Sequence, residues 1–140
     1  MNPLDPYLFF EGDCAEAMRF YGEVLGGKPE LMREDQAPGA KPPVPGKKPL
    51  ILHARLPVQG GTLLASDWMA DRPYEPKQGF YVSLSCASVA EARRVFDAFA
   101  EGGKVNLAFD KTFWSEGFGM VVDRFGTPWM VSGPQRVMKT

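Results

Sequence analysis

Two segments of the chain place apolar residues three and four positions apart, which is the spacing of one helix face. The first begins at Asp13, has Glu16 three residues on in a capping-box spacing, and ends at Gly26-Gly27. The second begins at Ser88 and ends at Gly102-Gly103. The predicted buried faces are Cys14, Ala17, Met18, Tyr21 and Leu25 in the first helix and Val89, Ala92, Val95, Phe96 and Phe99 in the second.

Short apolar segments in the same order around each helix predict strands. In the first half they are Pro6–Glu11, Pro29–Glu34, Leu50–Val58 and Thr62–Asp67, and in the second half Phe80–Cys86, Lys104–Phe109, Phe118–Asp123 and Pro128–Ser132. Each half therefore reads βαβββ. Ala15-Glu16-Ala17 recurs 75 positions later as Ala90-Glu91-Ala92, which indicates an internal duplication. We expect a single domain over residues 1–140, with modules at about 1–70 and 79–134 and a Pro-rich loop at 36–49.

Alternation along two strands separates two faces of the predicted sheet. The even positions of Leu50–Val58 and of Phe80–Cys86 are apolar and are expected to pack against the helices. The odd positions carry His53, Arg55, Tyr81 and Ser83, among others. This polar set faces either solvent or a cavity, and its scarcity of Lys and Glu favours a pocket.

Composition excludes several function classes. The 140 residues have a net charge of -1 and a pI near 5.8, which gives no electrostatic footprint for nucleic acid. No apolar run is long enough for a membrane span, and we do not expect the first residues to form a signal peptide. Two widely separated cysteines, Cys14 and Cys86, are typical of reduced thiols in a cytoplasmic protein.

A series of short motifs, in order along nearly the whole chain, resembles one family. They include Pro6-Tyr7-Leu8, Gly12-Asp13-Cys14, Phe20-Tyr21, His53-Ala54, Ser66-Asp67, Thr112-Phe113-Trp114, Gly117-Phe118-Gly119, Asp123-Arg124-Phe125-Gly126 and Trp129-Met130. The family is the PhnB-like group of the vicinal oxygen chelate superfamily, which contains glyoxalase I, bleomycin-resistance proteins and extradiol dioxygenases. The resemblance implies an α+β fold of two paired βαβββ modules, with a concave curved sheet, helices on its outer face, and a homodimer.

Some relatives carry the label of a ubiquinone methyltransferase. The chain has no glycine-rich loop after its first strand and no α/β nucleotide-binding pattern, so the sequence does not support that activity. We interpret one of these motifs, Asp123-Arg124-Phe125-Gly126, as a hairpin turn in which Gly126 supplies the positive φ.

The resemblance also implies a metal site that this sequence lacks. Metal-dependent members take one His or Glu from the first and last strand of each module. The matching positions lie near Pro6, Leu63, Tyr81 (or Phe80) and Met130, and none is His or Glu. Asp67 and His53 alone are too few to indicate a relocated ion. We therefore predict no metal and no cofactor.

Eight residues form the candidate ligand-binding set: Phe10, His53, Arg55, Asp67, Tyr81, Ser83, Trp114 and Met130. His53 could act as a base or bind an anion, or it could be a sheet histidine bonded to a neighbour. Arg55 could anchor a carboxylate or phosphate, or form a surface salt bridge. Asp67 is expected at the cavity rim, with capping or turn formation as the alternative. Trp114 could stack on a planar ligand or belong to the core.

Two functions remain open at this point. The first is a metal-free protein that binds a small organic molecule in the sheet cavity, of the sequestering or resistance type. The second is a glyoxalase-like enzyme that uses His53 or Asp67 for metal-independent proton transfer or isomerisation. Equilibrium binding without turnover would distinguish the first from the second.

Overall fold

A computed structural model describes residues 3–42 and 45–136 of the chain. The first module contains β1 (Tyr7–Phe10), α1 (Cys14–Leu25), β2 (Glu30–Arg33), β3 (Ile51–Val58) and β4 (Gly61–Asp67). The second contains β5 (Val82–Ser85), α2 (Val89–Ala100), β6 (Lys104–Asp110), β7 (Phe118–Val122) and β8 (Pro128–Ser132). The predicted α+β class and the βαβββ order of both halves are confirmed.

The chain divides into two compact units, one up to Glu75 and one from Pro76 onward, and each holds one module. The first sheet has the strand order β1-β4-β3-β2 and the second β5-β8-β7-β6. In each sheet the first and last strands of the module pair in parallel, and the other pairs are antiparallel. The two modules therefore share one topology, as the sequence repeat predicts. That residues 1–140 form a single domain stays a prediction.

Each helix covers one face of its own sheet. Under α1 the sheet buries Leu8, Phe10, Ala54, Leu56 and Ala65, and under α2 it buries Val121, Trp129 and Val131. The largest of these side chains, Trp129, stacks on Phe99 with ring centroids 4.4 Å apart and planes 17° apart. Large stacked aromatics contribute both burial and ring–ring attraction, so this pair anchors the core of the second module.

The helix boundaries follow the local signals, except that the predicted capping box of α1 does not form, because the Asp13 side chain makes no capping hydrogen bond. The hydroxyl of Ser88 accepts a hydrogen bond from the backbone N–H of Glu91, which caps α2, and Gly26 adopts the left-handed conformation that ends α1. Both predicted apolar faces are buried except at their ends, where Leu25 is half-buried and Val89 is exposed. Neither of the helices within the described ranges is long and apolar enough to cross a membrane.

A β-bulge in β3 corrects the predicted alternation of that strand. Met32 pairs with His53 and Arg33 pairs with Ile51, so Leu52 is the extra residue. The bulge changes which residues face the helix: Ile51 is buried, whereas Leu52 is 38% exposed. The expectation that Leu52 packs against the helices was therefore wrong, because one inserted residue reverses the faces of a strand.

The Asp123–Thr127 turn joins β7 to β8 as predicted. The backbone N–H of Asp123 donates to the carbonyl of Thr127, and that of Gly126 donates to the carbonyl of Asp123. Gly126 has a φ of 87°, a conformation that strains other residues. The turn is closed from within by the Asp123 side chain, whose carboxylate accepts the backbone N–H groups of Phe125 and Thr127.

We expect Gly103→Ala to destabilise the protein, because the chain after α2 passes close to the sheet. An added Cβ would collide with the carbonyl oxygen of Val122, a backbone atom that cannot move independently of its strand. Overpacking of this kind typically lowers stability by about 1–3 kcal/mol. Thermal unfolding measures the change. Gly61→Ala is the matched control, since its Cβ would meet nothing within 4 Å; equal melting temperatures for the two variants would contradict the expectation.

Candidate functional site

The face of the first sheet opposite α1 carries exposed aromatic side chains. In β1, Leu8 and Phe10 are buried beneath the helix, whereas Tyr7 and Phe9 are 42% and 41% exposed. The alternation of the strand places these two rings together on the other side. They are the centre of what we call the aromatic face, which consists of Tyr7, Phe9, His53, Trp68 and Tyr74.

The rings of the aromatic face form a continuous series. The centroid of Phe9 lies 5.2 Å from that of Tyr7 and 5.4 Å from that of Trp68, with an edge-to-face arrangement in the second pair. Trp68 and Tyr74 are 6.2 Å apart, also edge to face. These separations lie within the range of attractive aromatic pairs, so the rings support one another without a covering helix.

The segment that follows β4 is held against β1 by hydrogen bonds. The indole N–H of Trp68 donates to the carbonyl of Arg72 at 2.8 Å, and the hydroxyl of Tyr74 donates to the carbonyl of Phe9 at 2.9 Å. The guanidinium of Arg72 lies over the Trp68 ring, 5.0 Å from its centroid, in a cation–π contact. Arg72 therefore places a positive charge at one end of the aromatic face.

His53 lies at the other end of the aromatic face. Its Nδ1 is 3.0 Å from the hydroxyl of Tyr7, and the two rings are 5.8 Å apart. His53 is therefore hydrogen-bonded to a neighbour, as expected for an ordinary sheet histidine. Its ring is also half-buried on the open side of the sheet. Its role in ligand binding stays a prediction.

Both tyrosines of the aromatic face keep their protons near neutral pH. Burial raises the pKa of Tyr7 above its ordinary value of 10.0, opposed by a hydrogen bond with Ser66. Burial also raises the pKa of Tyr74, and the negative charges of Asp13 and Glu11 raise it further. The two hydroxyls are therefore neutral groups that can donate or accept a hydrogen bond.

Arg55 forms a surface salt bridge, which was the alternative to a role as a ligand anchor. Its guanidinium is 3.4 Å from the carboxylate of Glu30, and both side chains are largely exposed. An exposed pair of this kind contributes about 0–1 kcal/mol to stability. Arg55 lies two residues from His53, so it is close to the aromatic face but already has an acidic partner.

Two of the predicted ligand-binding residues lie on the helix side of the sheet instead. Phe10 is fully buried and packs 6.3 Å from Tyr21 of α1. Asp67 is 2% exposed, and its carboxylate accepts the backbone N–H groups of Cys14 at 3.0 Å and Ile51 at 2.8 Å. The expected position of Asp67 at a cavity rim was wrong: its carboxylate connects the beginning of α1 to β3, which is closer to the capping alternative.

The open face of the second sheet carries the remaining predicted residues. Tyr81 precedes the edge strand β5, and its hydroxyl accepts a hydrogen bond from the side-chain amide of Asn106 in β6, the opposite edge strand, at 2.9 Å. Ser83 is exposed and pairs with Met130 across β5 and β8. Trp114 packs edge to face on Phe118 at 5.4 Å and is half-buried. Their role in ligand binding is likewise a prediction.

The strand positions that hold metal in related proteins do not suit a metal here. Leu63 is buried on the helix side, so the open face of β4 carries Leu64 instead, opposite Tyr7 of β1. In the second module the matching side chains are Tyr81 and Met130. None of these groups is an imidazole or a carboxylate, the ligands that such a site requires. Across residues 3–42 and 45–136, moreover, no three His, Cys, Asp or Glu side chains lie close enough to hold an ion.

A separate cavity of about 400 Å³ lies beneath the Pro-rich loop. Its lining includes Lys41, Lys47 and Lys48 together with Glu34 and Asp35. Three lysines and two carboxylates lie in this lining, so the opposite charges largely offset one another and the cavity does not have the strong positive charge that would indicate an anion site. It shares no lining residue with the aromatic face.

Sequence reasoning missed four of the five residues of the aromatic face, namely Tyr7, Phe9, Trp68 and Tyr74. In β1 all four residues, Tyr-Leu-Phe-Phe, are apolar or aromatic, so alternation alone cannot say which pair faces the helix. The helix-facing apolar residues of β4, Leu63 and Ala65, could have fixed the phase of the sheet, since Leu8 pairs with Ala65. Because Asp67 lies on the helix side, the next residue, Trp68, falls on the open face.

Comparison with known proteins assigns the family. The model of the family described as 3-demethylubiquinone-9 3-methyltransferase matches residues 3–132. Protein YjdN from Escherichia coli (strain K12) is 34% identical, over 93% of this chain and 94% of its own. Protein PA1353 from Pseudomonas aeruginosa has a crystal structure that is 43% identical with a TM-score of 0.85, covering 97% of this chain and 100% of that one.

A PhnB protein from Bacillus cereus shares the fold at 22% identity, with a TM-score of 0.77 and coverage of 95% of this chain and 100% of that one. The family description names a methyltransferase, yet both sheets are largely antiparallel, unlike the parallel sheet of nucleotide-binding α/β folds. The chain belongs to the family whose model is described as 3-demethylubiquinone-9 3-methyltransferase, and it has the fold of the PhnB protein and of glyoxalase, bleomycin-resistance and dioxygenase proteins of known structure.

Proposed function

We propose that the protein binds a small planar organic molecule on the aromatic face of its first module, as a sequestering or resistance protein that works without a metal. The observation that carries this proposal is the continuous series of rings from His53 to Tyr74, which no helix covers in the described part of the chain. Exposed apolar surface of this kind, with few polar groups beside it, is typical of a ligand site.

The chemistry of the face favours binding. Its aromatic rings offer stacking surface, while His53 and Arg72 supply polar contacts at its two ends. The donor groups of a metal-assisted reaction are missing from the matching strand positions, so no Lewis acid step is part of the proposal. We further propose a homodimer in the cytoplasm, where the two free thiols of Cys14 and Cys86 would stay reduced.

The test is a binding screen that uses the intrinsic tryptophan fluorescence of the protein, in which Trp68 is one of three tryptophans. Planar aromatic compounds are titrated into the protein, and Phe9→Ala is expected to weaken each hit about tenfold, the equivalent of about 1.4 kcal/mol. Phe113→Ala is the matched control, because Phe113 is an exposed phenylalanine outside the aromatic face. The proposal fails if no compound binds below about 1 mM or if both variants weaken binding equally.

An enzymatic alternative is favoured by one observation, the half-buried imidazole of His53 beside the Tyr7 hydroxyl. In this alternative His53 transfers a proton during a metal-independent isomerisation. Asp67 is no longer part of it, since both of its oxygens already accept backbone hydrogen bonds. Turnover of any hit compound that disappears in His53→Ala would support the enzyme, and binding without turnover would support the binding protein.

A further inference from the structure

The nitrogen that carries the imidazole proton determines whether His53 presents a hydrogen-bond donor or a base to a ligand. A neutral imidazole carries a proton on either Nδ1 or Nε2, and the nitrogen without it is the only one that can act as a base. The Nδ1 of His53 is 3.0 Å from the Tyr7 hydroxyl. Within the described ranges the structure shows no hydrogen-bond partner for Nε2. The group presented to a ligand is therefore Nε2, as either a donor or an acceptor.

The Tyr7 hydroxyl carries a proton that it can donate. Burial raises the pKa of Tyr7, so the phenol retains its proton. Its second neighbour, Ser66, donates its own hydroxyl proton to the carbonyl of Asp67 at 2.8 Å. The Tyr7 proton can then go to the Ser66 oxygen or to His53 Nδ1. An imidazole nitrogen is much more basic than an alcohol oxygen, so Nδ1 is the stronger acceptor.

We infer that Tyr7 holds neutral His53 in the tautomer with its proton on Nε2, so that the aromatic face offers a ligand a hydrogen-bond donor beside its rings. Tyr7 is a positioning residue in this arrangement. His53 in this form binds an acceptor and does not abstract a proton, which separates the binding function from the enzymatic alternative. The ligand class that follows, a planar molecule with a carbonyl, carboxylate or phenolate oxygen, rests on the proposed function.

The tautomer can be read directly, because His53 is the only histidine of the chain. Long-range proton–nitrogen NMR spectra of the ¹⁵N-labelled protein are recorded at the alkaline end of a pH series, where the His53 nitrogen signals no longer change with pH. The expected spectrum shows Nε2 as a protonated nitrogen and Nδ1 as an unprotonated one. The opposite pattern in the free protein would overturn the inference, whether or not any ligand binds.

Tyr7→Phe tests the cause of the tautomer. Loss of one hydrogen bond of ordinary strength is expected to change the ratio of the two tautomers by about two- to tenfold towards Nδ1–H. Tyr74→Phe is the matched control: it removes a hydroxyl from the same aromatic face that bonds to Phe9 and not to His53. An unchanged ratio in Tyr7→Phe, or an equal change in both variants, would show that Tyr7 does not position the proton.

The ligand class is tested with two probes of similar shape, benzoate and benzylamine. Benzoate, which carries an acceptor, is expected to shift the Nε2 and Nε2–H signals of His53, and the benzylammonium ion is not. Equal shifts from both probes, or none from either, would overturn the ligand class. Since the tautomer is measured without a ligand and the proposed function by the fluorescence screen, failure of one can be told from failure of the other.

Discussion

Replacing Asp123 with alanine is expected to lower the free energy of unfolding by about 3–5 kcal/mol. The Asp123 carboxylate is 3% exposed and accepts three hydrogen bonds, from the backbone N–H groups of Phe125 and Thr127 and from the indole N–H of Trp129 at 2.9 Å. Alanine would deprive two buried donors and one part-buried donor, the Phe125 N–H, of this acceptor. For a domain whose total stability is about 5–15 kcal/mol, such a loss is a large fraction.

The loss of stability should have two contributions, one from the hydrogen bonds in the turn and one from the hydrogen bond to the buried Trp129 indole. Asp123→Asn keeps one acceptor oxygen for the turn but directs an amide N–H at either the turn or the Trp129 indole, so we expect an intermediate loss of about 1.5–3 kcal/mol. Trp129→Phe removes the indole donor. Its combination with Asp123→Asn should be less damaging than the sum of the two single changes, because the unfavourable donor–donor contact disappears.

Chemical denaturation followed by far-UV circular dichroism measures these losses. Asp97→Ala is the matched control, since the Asp97 side chain is 60% exposed in a surface pair with Arg93 and should contribute less than about 0.5 kcal/mol. If Asp123→Ala is no more destabilising than Asp97→Ala, the buried hydrogen bonds do not hold the β7–β8 turn.

The second large effect is expected for Asp67→Ala, with a loss of about 2–4 kcal/mol in the free energy of unfolding. The two oxygens of Asp67 accept the backbone N–H groups of Cys14 and Ile51, which lie in different elements of the first module. Removal of the carboxylate deprives both of these buried donors of this acceptor. It also disconnects the beginning of α1 from the sheet, so the melting temperature should fall by several degrees.

This variant also tests whether Asp67 has a role in the chemistry of the site. The buried position predicts a loss of stability with unchanged ligand affinity per folded molecule, measured by calorimetry at a temperature where the variant remains folded. Glu30→Ala, which removes an exposed carboxylate of the same sheet, is the control. If the variant has normal stability but has lost binding or turnover, Asp67 takes part directly in the functional site.

The predictions made from local patterns agree well with the structure, and those that depend on which face a strand presents agree less well. Ser88 and Gly26 mark helix ends through groups within a few residues of themselves, and both act as predicted. Leu52 was placed on the wrong face, and the predicted ligand-binding residue Phe10 is buried beneath α1. The bulge in β3 and the uniformly apolar β1 make it impossible to predict from alternation alone which residues face the helix. That choice is set by the pairing of strands across the sheet.

Local patterns along the chain were sufficient for the two helices, the repeated βαβββ order, the Asp123–Thr127 turn and the family, since helix periodicity, caps and turn glycines act over a few residues. The arrangement of the site comes from the tertiary fold. It brings Tyr7 to His53, which lies 46 residues away in the chain, folds Trp68 and Tyr74 back against Phe9, and buries Asp67. Such contacts depend on strand register and on the choice of face, where a shift of one residue exchanges the buried side chains for the exposed ones.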